Sequence, residues 1–164
     1  MELEHFVHPV PPLFNSDCKT LILGSFPSPK SREGRFFYHH PQNRFWKVIA
    51  GLTGSPVPET IEEKKSLLLG NHIAVWDVIY SCQIKGASDS SIRDVVPTDL
   101  RVILDHAPIK RIFANGGTAY QLYMKYTYPE TQKTITKLPS TSPANAAWTL
   151  DRLLEAWAVI RKTY

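Results

Sequence analysis

The chain has little of what would declare a class at a glance. Only two of its 164 residues are cysteines, Cys18 and Cys82, and their spacing fits neither a redox motif nor a zinc motif. A disulfide scaffold is excluded, and a cytoplasmic protein with reduced thiols is the expectation. No apolar run approaches the roughly 18 residues of a membrane span. The opening "MELEHFVHPVPPLFN" carries early acids and prolines but no apolar leader core, so neither secretion nor membrane insertion is expected. There is no internal repeat and no low-complexity tract. Excess charge is modest: the net charge is +4, which permits a polyanionic partner without demanding one.

What is present is the composition of a globular protein, 43% hydrophobic and 21% charged. The length suits a single domain over residues 1–164. Residues 1–18 are proline-rich and read as an extended lead-in, which makes His5 and His8 loop histidines. Four short segments then read as strands: residues 19–24 ("KTLILG"), a continuous apolar run, and 72–79 ("HIAVWDVI") as buried strands, followed by 110–115 ("KRIFAN") and 133–139 ("KTITKLP"). Helical patterns separate or follow them. One begins after Asn43 as a possible cap and stops at Gly51, one spans 58–71, one spans 98–108 with Thr98 or Asp99 as cap, and one opens at 116. The last runs from Ala144 to about Lys162. The segment "SCQIKGASDSSI" (81–92) reads as a polar loop. Strands alternating with helices predict an α/β fold, a three-layer α/β/α arrangement around a central four-stranded parallel sheet. Ligands of such folds bind beyond the carboxyl ends of the strands.

The loop after the first strand, "GSFPSPKS" (24–31), is one residue from a phosphate-binding loop. Gly24, Lys30 and Ser31 stand at the required spacing, but the second glycine is Pro29. Proline supplies no N–H and fixes φ, so the loop is a stiff turn poor in donors. A serine-hydrolase elbow also fails, because no glycine closes G-S-F-P-S. The adjacent His39 and His40 have no supporting acid or cysteine, so no metal site and no cofactor is expected. Downstream, "FFYHHPQNRFW" gathers aromatics around an asparagine. Phe45 and Trp46 open an amphipathic helix and read as core. Phe36, Phe37 and Tyr38 lie in a loop, where an aromatic can offer a stacking face to a planar base. His40 sits within the same cluster.

These residues carry a resemblance. "GSFPS…FFYHHPQNRFWKVIAGL" together with "LPSTSPANAAW" resembles the uracil-DNA glycosylase superfamily, most closely its hypoxanthine-DNA glycosylase branch and then the mismatch-specific uracil/thymine glycosylases. The resemblance runs from Leu21 to about Trp157. Relatives hold the attacking water with a polar residue in the first-strand loop, an asparagine in G-I-N-P-G, where this chain has Phe26. The resemblance therefore moves the water to Asn43, whose amide can both accept and donate; a helix cap is its competing role. It makes Tyr38 the aromatic that stacks on the flipped base and sets Asp77 where uracil enzymes have a base-reading asparagine. Asp77 can accept a ring N–H, or equally serve as a strand-end cap or ion-pair member.

Backbone amides of Ser25, Phe26, Pro27 and Ser28 are expected to floor the base pocket, with His40 beside them. "LPSTSPANA" matches the loop that grips DNA phosphates, through Ser140, Thr141 and Ser142 and a helix beginning just behind them. Ser88 and Asp89 in "GASDSS", and Lys30, are further DNA-contact candidates. The implied activity is monofunctional hydrolysis of the N-glycosidic bond of a flipped deaminated base, hypoxanthine first and uracil second. A Schiff-base role for Lys30 is disfavoured. Double-stranded DNA bearing the lesion is the implied partner, with single-stranded DNA as a second substrate form and no obligate protein partner. A mismatch-specific uracil/thymine glycosylase and a catalytically silent DNA- or nucleotide-binding module are the alternatives.

Overall fold

The computed structural model describes residues 2–86 and 88–161. In chain order the elements are β1 (Glu4–Val7), β2 (Thr20–Gly24), α1 (Pro29–Gly34), α2 (Phe45–Thr53), α3 (Ile61–Gly70), β3 (Ile73–Asp77), β4 (Ile79–Lys85), β5 (Ser88–Pro97), α4 (Arg101–Leu104), β6 (Arg111–Asn115), α5 (Gly117–Leu122), a π-helical turn (Tyr123–Thr127), α6 (Tyr128–Thr131), β7 (Thr136–Leu138) and α7 (Leu150–Trp157). A 3-10 turn, Ala158–Arg161, follows. The four expected strands form one sheet of order β3-β2-β6-β7, parallel throughout. The α/β expectation with a four-stranded parallel sheet is met. Every residue of β2 and β3 is buried, as a sheet covered on both faces requires. Around it α2 packs against α7 and α3, while α5 packs against β6 and β7.

Several local expectations are corrected. The lead-in is not featureless: β1 pairs antiparallel with β4, and β4 with β5, in a second sheet of three strands. Val10 and Cys18 join the core, and Leu13 bridges to Val75. The polar loop at 81–92 is therefore a β-hairpin. Strand β4 buries Cys82 and Ile84 and leaves Gln83 and Lys85 more exposed, while the serines and charges of β5 and its irregular register against β4 hide the pairing in the sequence. Turn 25–28 leads into α1, which Ser28 caps by accepting the Ser31 N–H (3.2 Å) with Pro29 in the first turn. There proline's fixed φ is an advantage.

Helix α2 continues past Gly51 to Thr53 and ends on Gly54 at φ +68°. Gly51 is retained for packing, since a Cβ there would meet Leu154 Cδ2 of α7 at 2.8 Å. Thr98 does not cap the next helix; it is buried and donates to the Asp77 carbonyl (2.8 Å). The last helix begins at Leu150 with Thr149 as its cap, not at Ala144. The intervening residues are pulled into turns because Arg44 donates to the carbonyls of Ser142 (3.0 Å), Asn145 (3.1 Å) and Trp148. Lys162, the expected helix end, lies outside the described residues. Among the described residues, no helix is long and apolar enough to cross a membrane.

Candidate active site

Sheet register builds the site. It sets Gly24 opposite Asp77 at the ends of β2 and β3, and Asn115 opposite Leu138 at the ends of β6 and β7. The loops leaving these ends enclose a pocket of about 410 Å³, a size typical of small-ligand sites. Gly24 is required by close approach. A Cβ there would collide with Asp77 Oδ1 and come within 3.2 Å of the Tyr38 hydroxyl. Gly116, at φ +97°, turns the chain out of β6 where Ser140 Cβ lies 3.0 Å from the position a Cβ would take. The third-strand loop and the "PSTSP" loop are thus pressed together at the pocket rim.

Asn43 lies just before α2, and its orientation is fixed by donors on one side. Oδ1 accepts the Phe45 N–H (2.9 Å) and the Thr141 hydroxyl (2.8 Å). A backbone N–H can only donate, so the amide cannot be flipped. Thr141 is completely buried. Its hydroxyl in turn accepts from Asn115 Nδ2 (3.0 Å), and its own N–H donates to Asn115 Oδ1 (3.0 Å). The Arg44 N–H to Thr141 carbonyl bond (3.1 Å) closes the junction. One relay therefore ties the end of β6, the "PSTSP" loop and the start of α2. It leaves Asn43 Nδ2 as the group presented to a ligand. Arg44, not Asn43, is the N-cap of α2. The expectation that Asn43 both accepts and donates is also corrected, because Oδ1 is already taken by the Phe45 N–H and the Thr141 hydroxyl.

Asp77 is the second polar feature. Its Oδ2 accepts from His8 Nε2 (2.7 Å), and the two side chains are only 6% and 2% exposed. His8, expected to be a loop histidine, is buried among Phe26, Phe37 and Trp76, with ring centroids 5.9, 6.3 and 6.3 Å away. Phe26, which replaces the polar residue of relatives, thus walls this pair while lining the pocket. Tyr38 adopts φ +50° and lays its ring on Phe45 with centroids 4.1 Å apart, so one face is already covered by protein. Burial, then the negative charge of Asp77, pushes its phenol well above the usual range. The nearby Asn115 amide opposes this without reaching hydrogen-bonding geometry, and the hydroxyl has no partner among the described residues. Asp89 reaches the pocket from the β4–β5 hairpin. Desolvation raises its carboxyl pKa and the Thr118 hydroxyl opposes the shift, but the residue as a whole is exposed, so the effect is energetically small.

Ser25, Phe26, Pro27, Ser28, Tyr38, Asn43, Asp77, Asp89, Ser140, Thr141 and Ser142 all line this one pocket. His40 does not: its Nδ1 accepts the Gln42 N–H (3.1 Å) and its carbonyl the Asn43 N–H (2.9 Å), making it a turn former. Lys30 and Ser88 are exposed and also lie off the pocket wall. Thr141 offers nothing to DNA, because its hydroxyl is consumed inside the protein. The helix expected behind Ser142 is a turn, with Ser142 Oγ accepting the Ala144 N–H (3.1 Å). Pro27 has no N–H, so the turn has at most three amides to give. Sequence reasoning missed Asn115, Thr118, Arg44 and His8. An asparagine ahead of Gly-Gly at a strand end was a usable signal for the first two; His8 lies 69 residues from its partner, and no local pattern marks it.

The uracil DNA glycosylase superfamily pattern matches residues 11–161. The chain belongs to that superfamily. Within it, a protein from Methanosarcina acetivorans named hypoxanthine DNA glycosylase is 32% identical over 155 residues, 92% of this chain and 96% of the relative. A second protein of that name, from Methanosarcina barkeri, is 30% identical over 108 residues, 65% of this chain and 68% of the relative. A solution NMR structure from Methanosarcina acetivorans, described as a candidate uracil DNA glycosylase, superposes with a TM-score of 0.79 at 30% identity, covering 93% of this chain and 94% of the other. The superfamily's members are DNA glycosylases, which makes this chain a hydrolase fold acting on DNA.

Proposed function

We propose that the protein removes hypoxanthine from DNA by hydrolysing its N-glycosidic bond. The observation that carries this reading is one pocket combining a buried acceptor, Asp77, with a fixed donor, Asn43 Nδ2, in a chain so similar to proteins named for that activity. The target nucleotide is flipped into the pocket, and mispaired bases flip at lower cost. Asp77 takes the ring N–H. The face of Tyr38 turned away from Phe45 is the stacking surface, and amides of turn 25–28 face the carbonyl oxygen.

The C1′–N bond breaks with its electron pair left on the base, through an oxocarbenium-like sugar. Fixed donors near the developing negative charge stabilise that state more than they stabilise the substrate. Asn43 Nδ2–H holds the water by its oxygen. It cannot remove a proton, so the water adds to an already cationic C1′. The proton it then loses is balanced by protonation of the departed base anion, leaving a neutral base and a C1′ hydroxyl. Ser140 and Ser142 accept local backbone N–H groups through Oγ, which leaves their hydroxyl hydrogens for phosphate oxygens.

The test is a panel of duplexes carrying inosine, uracil or thymine opposite each normal base. Alkali-labile sites at inosine above all others support the reading. Preferred cleavage of G:U or G:T assigns the protein to mismatch repair instead, and lesion binding without any cleavage makes it a silent binding module.

A further inference from the structure

We propose that His8 is a positioning residue for base selection: its Nε2–H pins Asp77 as an acceptor-only group, so the pocket takes lactam bases and refuses their amino parents. This deepens the reading above and rests on it. The tautomer follows from geometry. The Val10 N–H donates to His8 Nδ1 (3.1 Å), so that nitrogen carries no proton and Nε2 must be the one that donates to Asp77. The His8 backbone is held as well, its N–H donating to the Tyr80 carbonyl (2.7 Å). Three aromatic rings keep water from the pair, and the Thr98 hydroxyl fixes the Asp77 backbone.

With Oδ2 committed to His8, Oδ1 is the oxygen left for a ligand, lying over Gly24 beside the Tyr38 hydroxyl in a residue that lines the pocket. A carboxylate oxygen offers lone pairs only. Hypoxanthine at N1 and uracil at N3 present an N–H to such an acceptor. Adenine N1 and cytosine N3 present a bare lone pair and would leave the buried oxygen unmatched. Sites built around one hydrogen bond reject analogues lacking it far more strongly than apolar pockets reject a missing methylene. Discrimination of a deaminated base from its amino parent thereby follows from the polarity of one atom, independently of how readily a mispaired base flips. Guanine N1 and thymine N3 carry the same N–H and are not refused by it.

The polarity can be inverted. In Asp77→Asn the His8 Nε2–H still demands an acceptor, so the amide oxygen turns to His8 and the NH2 faces the pocket as a donor, suited to adenine N1. The experiment titrates the full chain with free hypoxanthine and free adenine by calorimetry, beside excision from inosine duplexes. The wild type should prefer hypoxanthine by about 100-fold or more. Asp77→Asn should lose that preference, His8→Leu should weaken hypoxanthine binding about tenfold or more, and His8→Gln, which restores an N–H, should recover most of it. Unfolding midpoints identify any variant that fails to fold, and the near-isosteric Asp77→Asn then carries the test.

Unchanged preference in Asp77→Asn, or His8→Leu binding as wild type, overturns the proposal. So does folded His8→Gln behaving no better than His8→Leu. A wild type that selects hypoxanthine yet cleaves no duplex refutes the enzyme reading and supports the pair. One that cleaves inosine while the variants keep its selectivity does the reverse. A wild type that takes neither base overturns both.

Discussion

Replacing Thr141 by valine removes one oxygen from the centre of the relay while preserving shape. Thr141 is fully buried, and its Oγ1 both accepts from Asn115 Nδ2 (3.0 Å) and donates to Asn43 Oδ1 (2.8 Å). Thr141→Val leaves the Asn115 amide without an acceptor and Asn43 Oδ1 with the Phe45 N–H alone. Stranding one buried group costs roughly 1–3 kcal/mol. The unfolding midpoint should therefore drop by about 4–8 °C for a loss of about 2 kcal/mol, at about 2–4 °C per kcal/mol for a chain of this size. If about 1.4 kcal/mol of the aiming of Asn43 Nδ2 is lost in the transition state, single-turnover excision of hypoxanthine slows about tenfold. The KM for lesion DNA should be little altered, since neither a base-reading nor a phosphate-facing atom has changed. Thr141→Ser keeps the hydroxyl and should restore most of the rate. Wild-type turnover in a valine variant that has lost stability would show that the relay is only structural and that Asn43 needs no fixing.

Asn43 itself separates structure from chemistry. Asn43→Asp retains an oxygen for the Phe45 N–H and the Thr141 hydroxyl, so it should keep its unfolding midpoint, whereas Asn43→Ala should lose about 1–3 kcal/mol by leaving those two donors without their acceptor. Both lose the Nδ2 donor and should lose excision; full activity in either would remove Asn43 from the mechanism. Gly24→Ala drives a methyl into Asp77 Oδ1 and against the Tyr38 hydroxyl. Overpacking of this kind costs about 1–3 kcal/mol, and base binding measured by calorimetry should fall with it; unaltered binding would mean that Asp77 does not face the base.

The parallel sheet was legible because β2 and β3 come from continuous apolar runs and all four strands alternate with helical patterns, although β7 buries only Leu138. Gly24, Asp77 and Asn43 were legible because they sit beside those strands or within a dense motif. What escaped reading depends on distance along the chain. β1 has no apolar alternation and becomes a strand only because β4 offers it an edge. His8 looked like a residue of a proline-rich tail, yet the pairing of β1 delivers it to Asp77. Thr141 and Ser142 looked alike in sequence. Only the three-carbonyl grip of Arg44 explains why one turns inward to Asn43 while the other stays at the rim. Phe26 looked like a lost catalytic residue and is instead the cover of a buried pair.

Single-turnover incubation of the full chain with a duplex carrying one deoxyinosine, followed by alkali cleavage, decides whether this pocket excises hypoxanthine. A single scission at the inosine is expected, absent from the matched adenine duplex and abolished in Asn43→Ala. Binding of the inosine duplex with no scission, or equal scission at adenine, would rule out hypoxanthine excision by this pocket.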